Sequence, residues 1–340
     1  MGTTATLPAT IKTALVTGGG GFVGQAVVRR LLALGVDTRI IARHRYDEIE
    51  AAGARGFVGN IANPDELQAA VDGVDLVVHT AALAGIWGEW QLYHRSNVLG
   101  TENVIAACRQ AGVASLVYTS TPSVVFNGED IRGGDERLPY GRQFLCHYAR
   151  SKAIAEGLVL AAAGPTLKTC ALRPHLIWGP GDPHLLPRLL ARGREQSLRQ
   201  VGDGSNLVDI SYIDNVAEAH ILAAADLAGP GRANGKAYFI SQGEPVNLWH
   251  WIADLFSRMG VPQVDKRVAE RTAYRLGAVL ELAYRLLGLR HEPKMTRFLA
   301  EQLAKSHYFS IEKARRDLGY EPLISTEEGL QRTVQWLRNR

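Results

Sequence analysis

Cysteines and long apolar runs are both scarce in this chain of 340 residues. The cysteines, Cys108, Cys146 and Cys170, are odd in number and show neither CxxC nor cysteine–histidine spacing. This excludes a disulfide framework, gives no reason to expect a metal site, and fits a reducing cytosol. No stretch approaches the ~18 uninterrupted apolar residues of a membrane span, and residues 1–10 lack a signal peptide's apolar core. We therefore expect a cytoplasmic protein with no transmembrane span.

The chain also lacks a large excess of either positive or negative charge. The net charge is only +4, from 38 basic and 34 acidic residues. No dense basic run with interleaved aromatic residues occurs, so nucleic acid is not an expected partner. The remaining composition, 46% hydrophobic and 21% charged, is that of an ordinary globular protein with a substantial core. The motifs must therefore indicate the function.

Three glycines follow the first apolar segment. Residues Thr13–Thr17 are apolar and partly β-branched, which predicts a buried strand, and apolar residues at helical spacing run from Val23 to Leu32. Between them, the first glycine permits a tight turn, the second lets the backbone approach a pyrophosphate at the helix N-terminus, and the third allows close packing. A flexible loop is the alternative, but the flanking elements favour a dinucleotide site. Its predicted residues are Gly18, Gly21, Phe22, Val23 and Gly24.

The end of the second predicted strand, residues 38–42, bears on which dinucleotide is bound. NAD-binding proteins usually place an acidic residue there to bond the ribose hydroxyls. Here Ala42 takes that place, followed by Arg43, His44 and Arg45. A carboxylate would repel a 2′-phosphate, whereas an arginine fork can hold one. We therefore predict NADP(H), with Arg43 as the main phosphate ligand; a solvated basic loop is the alternative.

A second motif, Tyr148 and Lys152, lies much further along the chain. The two residues are four positions apart, so on a helix they share one face. Free tyrosine titrates near ~10, so a neighbouring lysine ammonium that favours the phenolate would make it a better proton shuttle. The lysine can also bond the nicotinamide ribose. A surface helix with a chance Tyr-x-x-x-Lys is the alternative, but the order of the two motifs favours proton transfer beside a nicotinamide.

A hydroxyl partner for Tyr148 is expected at the end of the strand that precedes the catalytic helix. Residues 115–120 form that predicted strand. Thr121, Ser120 and Ser123 are the candidates, and Thr121 is our choice to hold the substrate carbonyl oxygen. Serine and threonine at strand ends are often simple turn formers, so the choice stays open.

Strand and helix patterns alternate from residue 12 to about residue 174 and then change. Alternation predicts an α/β fold, a Rossmann-type doubly wound parallel sheet with helices on both faces. We assign residues 12–174 to the dinucleotide-binding domain and 175–340 mainly to a smaller, mostly helical substrate-binding cap. Segments near 205–241 should return to the first domain. Residues 271–289 are amphipathic and predict a helix that covers a lipid-tail channel, docks a partner, lies on a membrane, or simply packs on the cap.

These residues resemble the extended short-chain dehydrogenase/reductases and, within them, the 3β-hydroxysteroid dehydrogenase branch. The matching stretches span almost the whole chain and include VTGGGGFVG, LVYTSTPSVVF, YARSKAIAE, ALRPHLIWGPGD and VDISYIDNVAEAHILA. TSTPSV and WGPGDPHLLPRLL are most similar to a group of bacterial ketoacid reductases of olefin biosynthesis. That resemblance implies NADPH-dependent reduction of a long-chain 2-alkyl-3-ketoalkanoic acid to the 3-hydroxy acid. It also implies a homodimer and a possible multienzyme assembly with other pathway enzymes.

The resemblance adds further expected site residues. The loops that usually line the cofactor carry His79, Ala81, Ala82 and Pro174 here, and Asn60 and Ile61 stand where an aspartate often faces the adenine. Tyr148 and Lys152 are expected to contact the cofactor as well. The residue that holds the substrate carboxylate stays open among Arg142, His147, His184 and Arg188.

Other functions remain as alternatives. An NAD(P)-dependent 3β-hydroxysteroid or sterol-4-carboxylate 3-dehydrogenase would use the same catalytic residues in the oxidative direction. Nucleotide-sugar epimerases and dehydratases resemble the chain less closely. A non-catalytic NADP-binding regulator would commonly lack the tyrosine or the lysine, and both are present here.

Overall fold

The computed structural model describes residues 5–339, which form fifteen strands and thirteen α-helices. The strands are β1 Thr13–Thr17, β2 Asp37–Ala42, β3 Arg55–Val58, β4 Leu76–His79, β5 Ser115–Thr119, β6 Ile131–Gly134, β7 Lys168–Pro174, β8 Ile177–Trp178, β9 Gln200–Val201, β10 Leu207–Val208, β11 Ser211–Tyr212, β12 Lys236–Ile240, β13 Val246–Asn247, β14 Arg267–Val268 and β15 His307–Phe309. The helices are α1 Phe22–Ala33, α2 Asp47–Ala51, α3 Pro64–Val71, α4 Trp90–Tyr93, α5 Gly100–Ala111, α6 His147–Ala161, α7 Leu185–Arg194, α8 Ile213–Ala228, α9 Leu248–Met259, α10 Glu270–Leu286, α11 Arg297–Ala304, α12 Glu312–Leu318 and α13 Thr326–Arg338.

Seven parallel strands make the main sheet, in the order β12-β7-β5-β4-β1-β2-β3. The chain winds outward from β1 through β2 and β3, then returns to place β4 on the other side of β1. This reversal opens a crevice at the carboxyl ends of β1 and β4, where doubly wound folds bind their ligands. The predicted strands are therefore confirmed, and so is the doubly wound parallel sheet.

Helices cover both faces of the sheet because its strands are apolar on both sides. Successive residues of a strand point to opposite faces, and Val16 and Leu15 accordingly belong to different apolar clusters. Helices α1, α8 and α12 pack on one face, and α3, α5 and α6 pack on the other. Each face thus buries the apolar stripe of its helices.

A third apolar cluster forms the core of the cap, with residues from α7, α9 and α13 around Trp178 and Trp251. Strand β12 lies at the edge of the main sheet, and α8 packs against that sheet. Helix α12 returns as well, with Ala314 and Leu318 buried in the core of the first domain. The sequence patterns did not predict this last return, because the helix is too short to show a clear apolar period.

The segment predicted as one helix from Tyr93 to Ala111 has a more complex form. It begins as α4, passes through a π-helical stretch over His94–Leu99, and continues as α5. π-Helical turns are rare and frequently lie at functional sites. Here the stretch carries Asn97, which joins the loop after β4 to α6 as described below.

Candidate active site

The glycine turn after β1 has the backbone geometry that a dinucleotide requires. Gly18 adopts φ 68°, and a Cβ there would lie 2.8 Å from the Cα of Ala81. A Cβ at Gly24 would overlap the carbonyl oxygen of Gly18. At Gly21, by contrast, the nearest atom to an added Cβ is the Gly18 oxygen at 3.3 Å, and the residue is exposed. Gly18 therefore serves both the turn and the contact with the loop after β4, and Gly24 lets α1 approach the turn, whereas Gly21 leaves open space at the helix N-terminus.

The N-terminus of α1 faces the crevice without a side-chain cap. Gly21 is the N-cap residue, and no side chain bonds to the first turn. Its free N–H groups and the positive end of the helix dipole suit a pyrophosphate. Phe22 and Val23 begin the helix and are half-buried, with Val23 packed against two of the apolar clusters.

At the end of β2, Arg43 is exposed and has no hydrogen-bond or ion-pair partner among residues 5–339. Its neighbour Arg45 is paired with Glu50. The ring of Tyr46 fills the space where a Cβ of Gly20 would lie. Arg43 is therefore the residue of this loop whose guanidinium is free for an anion.

Two other expected cofactor residues at the end of β3 are already engaged. The side-chain oxygen of Asn60 accepts a hydrogen bond from the N–H of Ala62 at 3.0 Å. Ile61 is buried, and its side chain limits the space beside Gly100 to a hydrogen atom. Asn60 is half-buried, and within residues 5–339 its side-chain NH2 group has no hydrogen-bond partner, so it can bond a ligand. Ile61 is a core residue and can contribute only by packing.

His79, one of the expected cofactor residues, lies in the core. Its imidazole is fully buried, with Nδ1 2.7 Å from the Thr17 hydroxyl and Nε2 2.9 Å from the Thr101 hydroxyl. Burial, together with Lys152, lowers the pKa of His79 to about 3, so the ring is neutral at ordinary pH. His79 therefore supports the ends of β1 and β4 from inside the core, and the next residues of the chain, the half-buried Ala81 and the exposed Ala82, are more accessible to a ligand.

Tyr148 and Lys152 lie in the first turns of α6, on one face as predicted. The Lys152 Nζ donates to the carbonyl oxygen of Thr119 at 2.6 Å and lies 4.1 Å from the centre of the Tyr118 ring. Burial lowers the pKa of Lys152 to about 7, an effect that Glu156 partly offsets. The end of β5 thus fixes the lysine through a backbone carbonyl.

The titration of Tyr148 differs from the prediction. Burial raises the pKa of Tyr148 to about 12, aided by Cys146, while a hydrogen bond with the Thr121 side chain lowers it. The expected lowering by Lys152 does not dominate here, because removing the phenol from water disfavours the phenolate more strongly. At neutral pH the phenol is protonated, which is the form that donates a proton.

The three candidate hydroxyls have different surroundings. Thr121 reaches Tyr148, and its Oγ1 donates to the Ser123 hydroxyl at 3.2 Å. Ser120 Oγ is buried and has no hydrogen-bond partner among residues 5–339. The geometry favours Thr121 as the hydroxyl beside the tyrosine. The unpaired Ser120 hydroxyl is the kind of orphan group that a bound ligand satisfies.

His220, which the sequence patterns did not single out, supports the end of β5 from α8. Its Nδ1 donates to the Val216 carbonyl at 2.7 Å, and its Nε2 accepts from the Thr119 hydroxyl at 2.7 Å. Thr119 therefore links the imidazole of α8 to the amine of Lys152. A histidine at an apolar position of a helix gives no sequence signal for this role, because its partner is 101 positions away in the chain.

Asn97 is a second missed residue. Its amide donates to the Ser151 hydroxyl at 2.9 Å and exchanges hydrogen bonds of 2.6 and 3.0 Å with the backbone of Leu83. The Ser151 hydroxyl donates in turn to the carbonyl of Tyr148 at 2.8 Å. This network joins the loop after β4 to the catalytic helix, so the crevice and the tyrosine are held in one arrangement.

The end of β7 is fixed by buried polar pairs. Arg173 donates to Glu156 at 2.5 and 3.0 Å, and the Tyr140 hydroxyl donates to the same carboxylate at 2.8 Å. Pro174, expected to touch the cofactor, is a buried residue of β7 itself. Next to it, His175 Nε2 lies 2.6 Å from His307 Nδ1.

Two cavities lie beside the catalytic helix. The smaller, about 160 Å³, has four aromatic side chains in its wall and joins the catalytic loops to the cap; its lining includes Ser123, Phe126, Phe144, Tyr274, Phe298 and Glu301. The larger, about 530 Å³, includes Arg132 and Arg142. Both contain Asn127 and Gln143 in their walls, so the two spaces adjoin.

The four candidates for the substrate carboxylate are not equivalent. Arg188 is paired with Glu292 at 3.1 Å, and His184 is the exposed residue at the N-cap position of α7, with no side-chain hydrogen bond to the helix. His147 packs against Trp90 with ring centres 5.7 Å apart, and burial lowers its pKa. Arg142 is exposed, lines the larger cavity and has no ion-pair partner among the described residues.

Neither a metal site nor a membrane-spanning helix emerges from residues 5–339. They contain no cluster of three or more His, Cys, Asp or Glu side chains able to hold a metal ion. No helix in the same range is both long and apolar enough to cross a membrane.

The fold and the site together define an oxidoreductase of the short-chain dehydrogenase/reductase class, acting between CH–OH and C=O groups. The model of the 3-beta hydroxysteroid dehydrogenase/isomerase family matches residues 15–269, and the chain belongs to that family. The predicted branch is therefore confirmed.

Individual relatives refine this similarity. The 2-alkyl-3-oxoalkanoate reductase of Stenotrophomonas maltophilia is 52% identical over 320 residues, which cover 94% of this chain and 97% of the relative. The mouse sterol-4-alpha-carboxylate 3-dehydrogenase, decarboxylating, is 35% identical over 95% of this chain and 90% of its own. Among solved structures, a dTDP-glucose 4,6-dehydratase of Streptomyces venezuelae with bound NAD has a TM-score of 0.73 and 25% identity, covering 96% of this chain and 97% of that one.

Proposed function

We propose that this protein reduces the 3-keto group of a long-chain 2-alkyl-3-ketoalkanoic acid to a hydroxyl, with NADPH as the reductant. The observation that carries the proposal is the pair Tyr148 and Lys152 on one face of α6, with Thr121 beside the tyrosine and their neighbours Ser123 and Ala149 in the wall of an aromatic cavity. The relative at 52% identity, a 2-alkyl-3-oxoalkanoate reductase, supports the substrate class.

The chain's own residues supply the proton and the orientation. Thr121 holds the ketone oxygen within reach of Tyr148, whose phenol donates its proton to the developing alkoxide. The Lys152 ammonium, held at the carbonyl of Thr119, stabilises the phenolate left behind. The bound nicotinamide supplies the hydride. In this direction a high tyrosine pKa keeps the acid form available at neutral pH.

The crevice fits a dinucleotide, and Arg43 supports NADPH over NADH. The residues present would hold its pyrophosphate at the Gly21 end of α1 and its 2′-phosphate at the free guanidinium of Arg43. The solved dehydratase with NAD shows that this fold accommodates a nicotinamide dinucleotide. Arg43→Ala should raise the KM for NADPH about tenfold, the loss of one charge-assisted pair, and leave that for NADH unchanged.

Arg142 is our choice for the substrate carboxylate. It is the candidate that both lines a cavity and lacks an ion-pair partner in the described range. The aromatic cavity next to it would take part of an alkyl chain, because the rings of Phe126, Phe144 and Phe298 in its wall favour an apolar ligand.

The cellular role is part of the proposal. A 2-alkyl-3-hydroxy acid is a suitable precursor for an olefin, so we place the reaction in olefin biosynthesis in the cytoplasm. A homodimer and an assembly with the enzymes that consume the hydroxy acid are the partners we propose.

The test is a side-by-side measurement of kcat/KM. NADPH and NADH oxidation are followed with a synthetic long-chain 2-alkyl-3-ketoacid, and NAD reduction is followed with a 3β-hydroxysteroid and a sterol-4-carboxylate. We expect turnover of the ketoacid with NADPH at least tenfold above that with NADH. Steroid or sterol oxidation with NAD and none of the ketoacid would overturn the proposal. That second function is supported by the 35% identity with the mouse sterol enzyme.

A further inference from the structure

A carboxylic acid lies in the wall of the aromatic cavity. Glu301 and Phe298 are three positions apart on α11, so they lie on one side of that helix, and both line the cavity. Tyr274 of the neighbouring α10 lines the same space. An ionised carboxylate is costly beside aromatic rings unless a cation or a hydrogen-bond donor pairs with it. The surroundings of Glu301 therefore decide what this residue can do.

Glu301 has no such partner. Within residues 5–339 its carboxyl group makes no hydrogen bond and no ion pair. Arg297, on the same helix, is paired with Glu281 at 2.7 Å. Lys305, directly after the helix, is paired with Glu270 at 3.0 Å. The neighbouring cations are thus engaged by other carboxylates, and the Glu301 carboxyl is left unpaired in the cavity wall.

Gly128 brings the loop that follows the catalytic hydroxyls against this carboxyl. Its φ is 88°, and a Cβ there would lie 3.1 Å from Oε1 of Glu301. Ala149, the neighbour of Tyr148, lines the same cavity. An alkyl chain that extends from a ketone at Tyr148 into this space, which measures only about 160 Å³, therefore contacts Glu301.

The charge state of Glu301 is sensitive to its surroundings. Burial raises the pKa of this carboxyl to about 7, against a smaller opposing effect of Lys305. The charged or titratable groups that face it are Glu270 and Tyr274 of α10, Arg297 and Lys305 in and after α11, and Glu129 of the loop that contains Gly128. The group therefore changes between its neutral and ionised forms near neutral pH. An apolar chain in the cavity removes more water from the carboxyl, which favours the neutral acid further.

We propose that Glu301 is a specificity-determining residue, whose neutral acid form favours an alkyl chain in the aromatic cavity and whose carboxylate form opposes it. Binding of the chain then takes up one proton at Glu301, and no other bond is made or broken. The preference for long chains consequently depends on pH, being strong below about pH 7 and weaker above it. That the chain belongs to a 3-ketoacid rests on the proposed function, whereas the coupling of chain binding to a proton does not.

A ratio of two KM values, that for a long-chain 2-alkyl-3-ketoacid over that for a short-chain one, tests the proposal. Both are measured with NADPH from about pH 6 to about pH 8.5. Titration of the cofactor, Tyr148 or Lys152 affects both substrates, so it cancels in the ratio. We expect the ratio to rise about tenfold across this range while the ratio of the kcat values stays constant. Glu301→Gln keeps the size of the side chain and cannot ionise, so its ratio should remain at the low-pH value of the parent.

Glu129→Gln is the matched control. It removes an exposed carboxylate that lines the larger cavity and not the aromatic one. The ratio should rise with pH as in the parent, with its midpoint at a slightly lower pH because Glu129 helps to raise the pKa of Glu301. A constant ratio in the parent, or the same rise in Glu301→Gln, would overturn the inference. The proposed function would survive either result, because it requires only NADPH-dependent reduction of the ketoacid.

A neutral ligand separates the inference from the proposed function. Decan-2-one is titrated into the full chain with NADP+ in a calorimeter, near pH 7.5, in two buffers of different ionisation enthalpy. The ketone has no carboxylate, so proton uptake reports on the protein. We expect the parent to take up about half a proton or more per ligand and Glu301→Gln to take up none. Equal uptake by the two proteins, no uptake by the parent, or no binding of the ketone would overturn the inference. Uptake by the parent alone, without turnover of any ketoacid, would support it and contradict the proposed function.

Discussion

The dinucleotide crevice and the aromatic cavity are built by different means. The crevice is made of backbone: glycines, a bare helix N-terminus and strand ends that come from neighbouring parts of the chain. The cavity is made of side chains, and Phe126, Phe144 and Phe298 reach it from distant segments. A site made of backbone tolerates few amino-acid substitutions, because an added side-chain atom at Gly18 or Gly24 would overlap backbone atoms of a neighbouring segment. A side-chain site can change its ligand by changing single residues.

The comparison predicts that the largest effect belongs to the residue between the two regions. Tyr148→Phe should lower kcat by roughly 10³-fold, the scale of a lost general acid, with KM and thermal unfolding nearly unchanged. Stopped-flow turnover and calorimetry provide the measurements. Lys152→Met should also lower kcat, and near-normal turnover by either variant would contradict the mechanism.

In the crevice, Gly24→Ala should be severe and Gly21→Ala mild. The first Cβ overlaps the carbonyl of Gly18, whereas the second meets nothing closer than 3.3 Å. Overpacking of this kind costs about 1–3 kcal/mol of unfolding free energy. We expect Gly24→Ala to weaken dinucleotide binding more than tenfold in calorimetric titration. Similar losses of dinucleotide binding in the two variants would contradict the prediction that only position 24 lacks space for a side chain.

In the cavity, the effect should be smaller and selective. Phe298→Ala should raise KM for long-chain ketoacids about tenfold, since it removes one apolar wall, and leave the Kd for NADPH unchanged. A chain-length series of substrates measures this. Phe57→Ala, in the partly buried edge of the crevice domain, is the control for a general loss of packing. A uniform loss across all chain lengths would argue that the cavity takes another part of the substrate.

The last effect concerns the pH dependence of stability and not catalysis. The pKa of His79 is about 3 in the folded protein, below its ordinary value of 6.5, so the unfolded chain binds more protons between these limits. Stability is therefore complete above pH 6.5 and falls as the pH drops toward 3. We expect a loss of about 2 kcal/mol between pH 7 and pH 5 from this group in urea unfolding.

The pH effect has an internal control. His79→Asn should flatten the pH dependence, and His250→Asn, which changes an exposed histidine, should not. Burial lowers the pKa of His220 to about 4, so its contribution has the same sign and ends at a slightly higher pH. An unchanged slope in the His79 variant would mean that the ring binds a proton as readily in the folded protein as in the unfolded chain.

The sequence predicted the elements of the crevice well because their signals are local. A glycine with positive φ, a glycine at a helix–strand contact and an apolar strand each depend on neighbours within a few positions. The pair Tyr148 and Lys152 is equally local. The sequence did not predict the burial of His79, because strand position gives the direction of a side chain only when the partners on each face are known.

The sequence by itself determined the Rossmann sheet, the glycine turn, the placement of tyrosine and lysine on one helical face, and the amphipathic character of α10. Each follows from backbone geometry or from a short repeat of apolar residues. Only the tertiary structure decided that His220 holds Thr119 beneath Lys152, that burial controls the Tyr148 pKa, and that both carboxylates of α10 turn inward. These features depend on contacts between segments far apart in the chain, and the low dielectric of the core that sets their strength exists only once those segments have packed.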